Sequence, residues 1–442
     1  MKIIVIGCTH AGTAAIVNTL NTNPNAEITV YERNDNISFL SCGIALYVGG
    51  VVKDVNGLFY NSPENLAKSG VVTKMKHDVQ NVDFDNKRVT VQDMESGNVF
   101  EDSYDKLIIT SGSWPIIPPI EGIDSENIVL SKNFNHSNQI IEKAKDAKKI
   151  VVVGAGYIGV ELVEAFEMQG KAVTLIDAQD RIMSKYLDKE FTNIAENEFM
   201  RHGVKIALGE MVQKFDNENG KVTAVVTDKG RYEADLVILC IGFRPNTDLF
   251  KGKIDMLPNG AIVIDEYMRT SQKDVFAAGD SCTVIYNPTK TKKYIPLATN
   301  AVRMGTVIGM NINEPKIKYI GTQSTSGIKI YDLNIAATGM TEEVAIQEGF
   351  EVKTVLVEDN YRPEFMPTYE KAMLKLVVDK KTEKVLGGQI LSKVDLTQMM
   401  NTLSVAIQNE MTVQELAMVD FFFQPHFNKP WSLLNIAALK LV

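Results

Sequence analysis

The stretch Lys149-Ile150-Val151-Val152-Val153-Gly154-Ala155-Gly156-Tyr157-Ile158-Gly159 decides how the rest of the chain reads. Ile150 to Val153 are apolar and β-branched, suited to a strand buried on both faces of a parallel sheet. Three glycines follow at the spacing G-x-G-x-x-G. The pattern predicts a tight turn, a helix over Val160–Gln169, and a second strand over Ala172–Ile176 that ends at Asp177. Strand, glycine turn, helix, strand and acid make a βαβ dinucleotide unit, with a pyrophosphate at the helix N-terminus. Asp177 bonds a free ribose hydroxyl and repels a 2′-phosphate, which selects NADH over NADPH. Arg181, four residues further on, admits some use of NADPH.

The N-terminus carries a second copy. Residues 2 to 6 are a short apolar run, Gly7-Cys8-Thr9-His10-Ala11-Gly12 follows, and a helix is predicted to about Leu20. A strand over Glu27–Tyr31 then ends at Glu32, an acid placed to take ribose hydroxyls. Thr9 stands where the middle glycine of the fingerprint belongs, so the backbone approach to a pyrophosphate is expected to be more crowded here. Two such units imply two dinucleotides, and the simplest chemistry that uses both is hydride transfer from a nicotinamide to a flavin. Beyond Glu32 comes Ser38-Phe39-Leu40-Ser41-Cys42-Gly43, with Cys42 ten residues past the acid. Cys42 reads as a redox thiol beside the flavin, and the helix expected to start at Gly43 would lower its pKa. By residue type alone a packed structural thiol remains open for Cys42, and a solvated loop residue for His10.

Between the two copies, the apolar strand Leu107–Ile109 runs into Thr110-Ser111-Gly112-Ser113 and a crossing with Pro115, Pro118 and Pro119. A matching exit follows Leu236–Ile241 at Gly242-Phe243-Arg244-Pro245. The unit around Gly154 is thus expected to be inserted between two similar turns. Further on, Val275-Phe276-Ala277-Ala278-Gly279-Asp280 is a short strand ending in an aspartate, where doubly wound sheets bind ligand. A helix starting near Ala298 would aim its positive end at a flavin carbonyl. After about Gly321, alternating stretches at 328–331, 353–357, 372–378 and 385–390 predict an antiparallel sheet crossed by a helix over 396–409. The predicted fold class is α/β. It comprises a dinucleotide domain (1–112 and 243–320), a second one inserted in it (113–242), and an α+β C-terminal domain (321–442) with an aromatic run, Phe421 to Phe423, suited to an interface.

Composition narrows the function classes. Of 442 residues, 45% are hydrophobic and 23% charged, and the net charge is −9 with no basic stripe, which argues against nucleic acid as a partner. The N-terminal apolar run is too short for a signal peptide and leads into a glycine loop, and no run spans a membrane. Cys8, Cys42, Cys240 and Cys282 show neither metal spacing nor a disulfide framework, which favours a cytoplasmic setting.

Ser38 to Tyr47, Thr270 to Asp280 and Asp420 to Trp431, with the two fingerprints, resemble the pyridine nucleotide–disulfide oxidoreductase superfamily along essentially the whole chain. Within it the chain is most similar to the single-cysteine branch of water-forming NADH oxidases, NADH peroxidases and coenzyme A disulfide reductases. The resemblance implies FAD on the first domain, NADH on the second, and a homodimer or dimer of dimers built by the third. It implies FAD contacts from Gly7, Gly12, Glu32 and Arg33, from Ser41, Cys42 and Val79, from Thr110, Gly112 and Asp280, and from Ala298 and Arg303. It implies NADH contacts from Gly154, Gly156, Tyr157, Ile158 and Gly159, and from Asp177, Tyr186 and Gly242. Cys42 falls on the branch's nucleophile and His10 on its active-site histidine. The second cysteine of the disulfide reductases is replaced by Tyr47, so Cys42 would cycle between thiolate and sulfenic acid. The glycine loop GCTHAGT and the segment CGIAL resemble the oxidases more than the peroxidases, so reduction of O2 to water is expected, with peroxide reduction as the alternative. Coenzyme A disulfide reduction is the weaker reading: that group has a tyrosine in the C-terminal aromatic segment, which here reads Asp420-Phe421-Phe422-Phe423, although Tyr361 keeps it open.

Overall fold

In the computed structural model, which describes residues 1–442, the strand Lys2–Ile6 lies at the centre of a five-stranded parallel sheet. The order across the sheet is Val275–Ala277, Lys106–Ile109, Lys2–Ile6, Glu27–Glu32, Val72–Met75. A second five-stranded parallel sheet repeats the plan around Lys149–Val153, in the order Lys205–Leu208, Ala172–Asp177, Lys149–Val153, Leu236–Leu239, Ile128–Leu130. The registers match: Ile6 faces Tyr31 in one sheet and Val153 faces Ile176 in the other. Central strands of this kind must be apolar on both faces, because helices cover both sides. Ile3 to Val5 and Ile150 to Val152 are accordingly buried.

The glycine turns feed helices His10–Thr22 and Tyr157–Glu167. The second helix starts three residues before the predicted Val160, because the fingerprint's last x-x-G already forms its first turn. In the first sheet the helix His10–Thr22 crosses Ala298–Asn311 at close range. A side chain at Gly305 would collide with the Ala11 carbonyl, so the crossing depends on a glycine. The insertion expected from the two turns takes a definite form: Ser113–Pro115 and Phe243–Pro245 pair antiparallel, with Trp114 opposite Arg244.

The C-terminal sheet is antiparallel, in the order Ser326–Ile330, Leu333–Gly339, Val385–Ser392, Lys371–Asp379, Val352–Asn360. Two expectations need correction. The strand Leu333–Gly339 and the short helices Glu342–Gln347, Val413–Ala417 and Leu433–Leu439 were not anticipated, and the long helix is confined to Met399–Gln408. The central strands also do not alternate, since 371–379 and 385–392 are buried almost throughout. One face packs on the C-terminal helices through Leu374, Leu376, Leu403 and Leu434. The other face shares a core with the second parallel-sheet unit, where Ile330, Ile335, Met373 and Leu391 join Phe191 and Phe199. That core also takes in Phe39, Ile44 and Val48, which flank Cys42, so all three units meet beneath the cysteine segment. No helix is long and apolar enough to cross a membrane.

Candidate functional site

Both fingerprints fold to the same local device. Gly7 and Gly154 take positive φ, +86° and +108°, which turns the chain from strand to helix. The acid at the end of the second strand then accepts from the amide just after that glycine. Glu32 accepts from Cys8 N–H at 2.8 Å, and Asp177 from Ala155 N–H at 2.5 Å. Thr110 closes the first loop by donating to the Gly7 carbonyl at 2.7 Å, and a Cβ on Gly12 would collide with both. Gly159 plays the corresponding part against Gly154 and Cys240. Neither helix has a side-chain cap at its N-terminus, with Thr9 and Gly156 in the cap positions, so first-turn N–H groups face the cleft. Around Gly156 and Gly112 an added Cβ would meet nothing, which marks open space of the kind a pyrophosphate fills. Thr9, which stands where the middle glycine belongs, has φ −101° and an exposed side chain. The donor set therefore fits two dinucleotides.

Cys42 lies in the 3-10 turn Ser41–Gly43, which leads into the helix Ile44–Val48, and is the one exposed cysteine. The lowered pKa expected from that helix start is not found. Partial enclosure of the sulfur pushes the thiol up, and the carboxylates of Glu161 and Asp280 push the same way, against Lys132. The helix is a short five-residue segment, and only Lys132 and a backbone hydrogen bond at Cys42 pull the other way. His10, the first residue of its helix, takes the hydroxyl of Tyr60 at Nδ1, 3.0 Å away, with the two rings stacked. Its Nε2 is buried without a partner. Burial lowers the His10 pKa, with Asp280 opposing and Lys132 assisting. His10 and Cys42 thus feel the same two charges and face one cleft. Those charges are themselves joined: Asp280 accepts from Ser113 at 2.8 Å and from Lys132 at 3.2 Å.

The other predicted residues divide into three groups. The Tyr157 and Tyr186 rings meet at 4.6 Å with their planes tilted by 49°, Tyr157 exchanges a hydrogen bond with Ser326 at 2.8 Å, and a cavity of about 150 Å³ opens beside Tyr186 and Ser326. Ile158 follows Tyr157 in the first turn of its helix, and Gly242, at φ +109°, begins the return crossing. Arg33 is exposed and pairs with Asp78, next to the buried Val79. Ala298 opens the helix Ala298–Asn311, and one turn on Arg303 donates to Asn300 at 2.7 Å and lies over the Tyr319 ring. The expectation that Arg181 admits NADPH is not supported. Only 13% of its side chain is exposed, and its guanidinium is committed to Glu343 at 2.6 Å.

Three residues were not anticipated. Lys132 follows an unremarkable strand in sequence and reaches Asp280 only through the fold. Tyr60 meets His10 from fifty residues away. Glu161 lies one turn after Tyr157, and burial, with Glu164 adding to it, pushes its carboxyl up to about 7. The spacing of Glu161 from the fingerprint was the only available sequence signal.

The family model for pyridine nucleotide-disulphide oxidoreductases matches residues 1–305, and that family's dimerisation domain matches residues 325–433. The chain belongs to the pyridine nucleotide-disulphide oxidoreductase family. An NADH oxidase of Enterococcus faecalis is 59% identical over 99% of this chain and 98% of its own. The water-forming NADH oxidase of Lactobacillus brevis, solved with NADH bound, superposes with a TM-score of 0.98 at 56% identity, covering 100% of this chain and 98% of that one. An engineered water-forming NADPH oxidase derived from it, bound to NADPH, has a TM-score of 0.98 at 55% identity with the same coverage.

Proposed function

We propose that the chain is an FAD-dependent NADH oxidase that reduces O2 to water. One observation carries this reading: a single accessible cysteine faces the cleft, with Tyr47 where a second would stand and an unpartnered His10 nitrogen on the adjoining loop. In this reading Gly7, Gly12, Glu32, Thr110, Gly112 and Asp280 hold FAD, with Lys132 beside them, and Gly154, Gly156, Gly159, Asp177 and Tyr186 hold NADH. Bound FAD supplies the relay that takes two electrons from NADH and passes them to O2 or to an oxidised sulfur.

The residues of the chain account for the remaining steps. The fingerprint amides and uncapped helix ends bind the pyrophosphates, while Glu32 and Asp177, already anchored by loop amides, take the ribose hydroxyls. The Cys42 thiolate attacks one oxygen of hydrogen peroxide. The O–O bond breaks, the sulfur becomes sulfenic acid, and the other oxygen leaves as water after taking a proton. A hydride equivalent from a second NADH returns the sulfenic acid to thiolate and a second water. Burial keeps the Tyr60 phenol protonated, so it donates to His10 Nδ1 and leaves an N–H at Nε2 to hydrogen-bond the sulfenic oxygen. Because the neighbouring carboxylates oppose the thiolate, its stabilisation falls to Lys132 and the positive end of the turn.

The reading includes the division into 1–112 with 243–320, 113–242 and 321–442, a cytoplasmic location and a homodimer. Exposed Phe422, Phe423, Phe427 and Trp431 on the last unit support an interface with a second copy. The test is stoichiometric. FAD-loaded protein should consume about two NADH per O2 and release no peroxide, whereas Cys42→Ser should release peroxide at about one NADH per O2. Turnover only after peroxide is added would replace the oxidase with a peroxidase, and water as the product of Cys42→Ser would remove Cys42 from the cycle.

A further inference from the structure

Arg181 stands in a segment wrapped around the NADH fingerprint. Gln179 N–H donates to Asp177 at 2.7 Å, and Met183 N–H donates to the Ala155 carbonyl at 2.8 Å, so Arg181 is held between two anchors on the ribose acid and the glycine loop. A guanidinium at this position is the group that would pair with a 2′-phosphate. Here it is already committed to carboxylates of the chain. Its Nη2 donates to Glu343, at the start of the helix Glu342–Gln347 in the C-terminal unit, and its Nη1 lies 3.8 Å from Asp180. Its Nε–H is buried with no partner, so the present arrangement leaves part of the guanidinium's donor capacity unused. Asp188 and Glu196 also face it electrostatically. The anion that fixes its direction comes from a different unit of the chain.

We infer that Glu343 is a positioning residue for dinucleotide choice: by holding Arg181 away from the ribose site, it withholds the cation that a 2′-phosphate requires. The inference rests on the reading of 113–242 as the NADH unit and extends it, because it makes the C-terminal unit part of the specificity device. Asp177 repels the 2′-phosphate and Glu343 removes its counter-ion. The two act in the same direction.

The test uses FAD-loaded protein and two probes, 5′-AMP and adenosine 2′,5′-bisphosphate, titrated calorimetrically. The Glu343 side chain is 53% exposed, and Thr341 rather than Glu343 caps its helix, so Glu343→Gln leaves the fold in place. The expected result is affinity for the bisphosphate about tenfold tighter, as one charge-assisted Arg–phosphate bond supplies. Affinity for 5′-AMP should not change, and the gain should shrink with added salt. Glu343→Asp, which keeps the pairing charge, should behave as the unmodified protein. In the double variant with Arg181→Gln the gain should vanish. A bisphosphate affinity that stays the same, shifts together with that for 5′-AMP, or improves without Arg181 would overturn the inference. Unmodified protein that binds neither 5′-AMP nor NAD+ would instead fail the dinucleotide reading itself, and the inference with it.

Discussion

Replacing Lys375 by Met should destabilise the junction between the NADH unit and the C-terminal sheet by about 3 kcal/mol. Lys375 is 3% exposed, and its ammonium lies 2.7 Å from Glu342, 2.8 Å from Glu190 and 3.3 Å from Asp188. Burial by itself lowers its pKa, but the three carboxylates together hold it above the ordinary lysine value. When the lysine is lost, the carboxylates respond differently. Glu190 and Glu342 have more than a third of their side chains exposed and turn to water, costing less than about 1 kcal/mol each. Asp188 is 6% exposed and cannot follow. It keeps the amide of Gln389 at 2.6 Å and the backbone N–H of Glu342 at 3.2 Å but loses its cation. An uncompensated buried charge of this kind costs about 3–5 kcal/mol, and the two retained hydrogen bonds place this site at the lower end. At about 1 °C per kcal/mol for a chain of 442 residues, the midpoint should fall by roughly 3 °C. The readout is thermal unfolding followed by fluorescence of Trp114 and Trp431, the only two tryptophans. Adding Asp188→Asn to the lysine variant should restore most of the loss, because the residual penalty is that one charge. The lysine's contribution is fully present below the unfolded lysine pKa, so the deficit should be flat from neutral pH to about pH 9. The Glu190 pKa is depressed, burial being outweighed by Lys375, so its share is lost as pH falls through the acid range. A loss under about 1 kcal/mol, or simple additivity of the two substitutions, would refute the reasoning.

Three further outcomes follow from the site. Gly156→Ala should leave the stability within about 0.5 kcal/mol of unmodified protein yet weaken NADH binding, since its Cβ enters open cradle space, whereas Gly154→Ala, at φ +108° against the Cys240 carbonyl, should destabilise by at least about 2 kcal/mol; paired melts and titrations separate the two. In FAD-free protein, Cys42 should alkylate with iodoacetamide along a pH profile whose midpoint lies above that of an ordinary thiol, because enclosure and Glu161 and Asp280 raise it; a midpoint near neutrality would contradict that balance. Glu161, raised to about 7 in the folded chain, binds more protons folded than unfolded, so its contribution falls as pH rises through about 4.5 to 7, and Glu161→Gln should raise the FAD-free melting midpoint at pH 8 but not at pH 4.

The sequence disclosed the parts of this molecule that rest on local pattern. Both fingerprints, their acids and the single cysteine follow from spacing, because a strand-to-helix turn at a phosphate tolerates few residues. Three things needed tertiary structure. Leu333–Gly339 is a strand buried on both faces along most of its length, with Ile335 and Ala337 in one core and Ala336 in another, so it carries no period-2 signal. Lys132 and Tyr60 enter the site from segments without a motif, joined to Asp280 and His10 only by the fold. The charge state of Cys42 depends on Glu161 of another unit, which no reading of the helix start beside it could include.

The pairing of Ser113–Pro115 with Phe243–Pro245 has a modular consequence. The chain leaves the first sheet and returns to it at one point, with Ser113 in register opposite Pro245. Loop-closure entropy depends on how far apart the ends of an insertion must be held and only weakly on what lies between them. An insert whose ends already meet therefore costs its host almost nothing, whatever its size. The strand Lys106–Ile109 would still reach its parallel neighbour Val275–Ala277 through the host's own residues 246–274, which supply the crossover that parallel strands need. A whole nucleotide-binding unit could thus be gained, lost or exchanged at this seam while the host sheet kept its order.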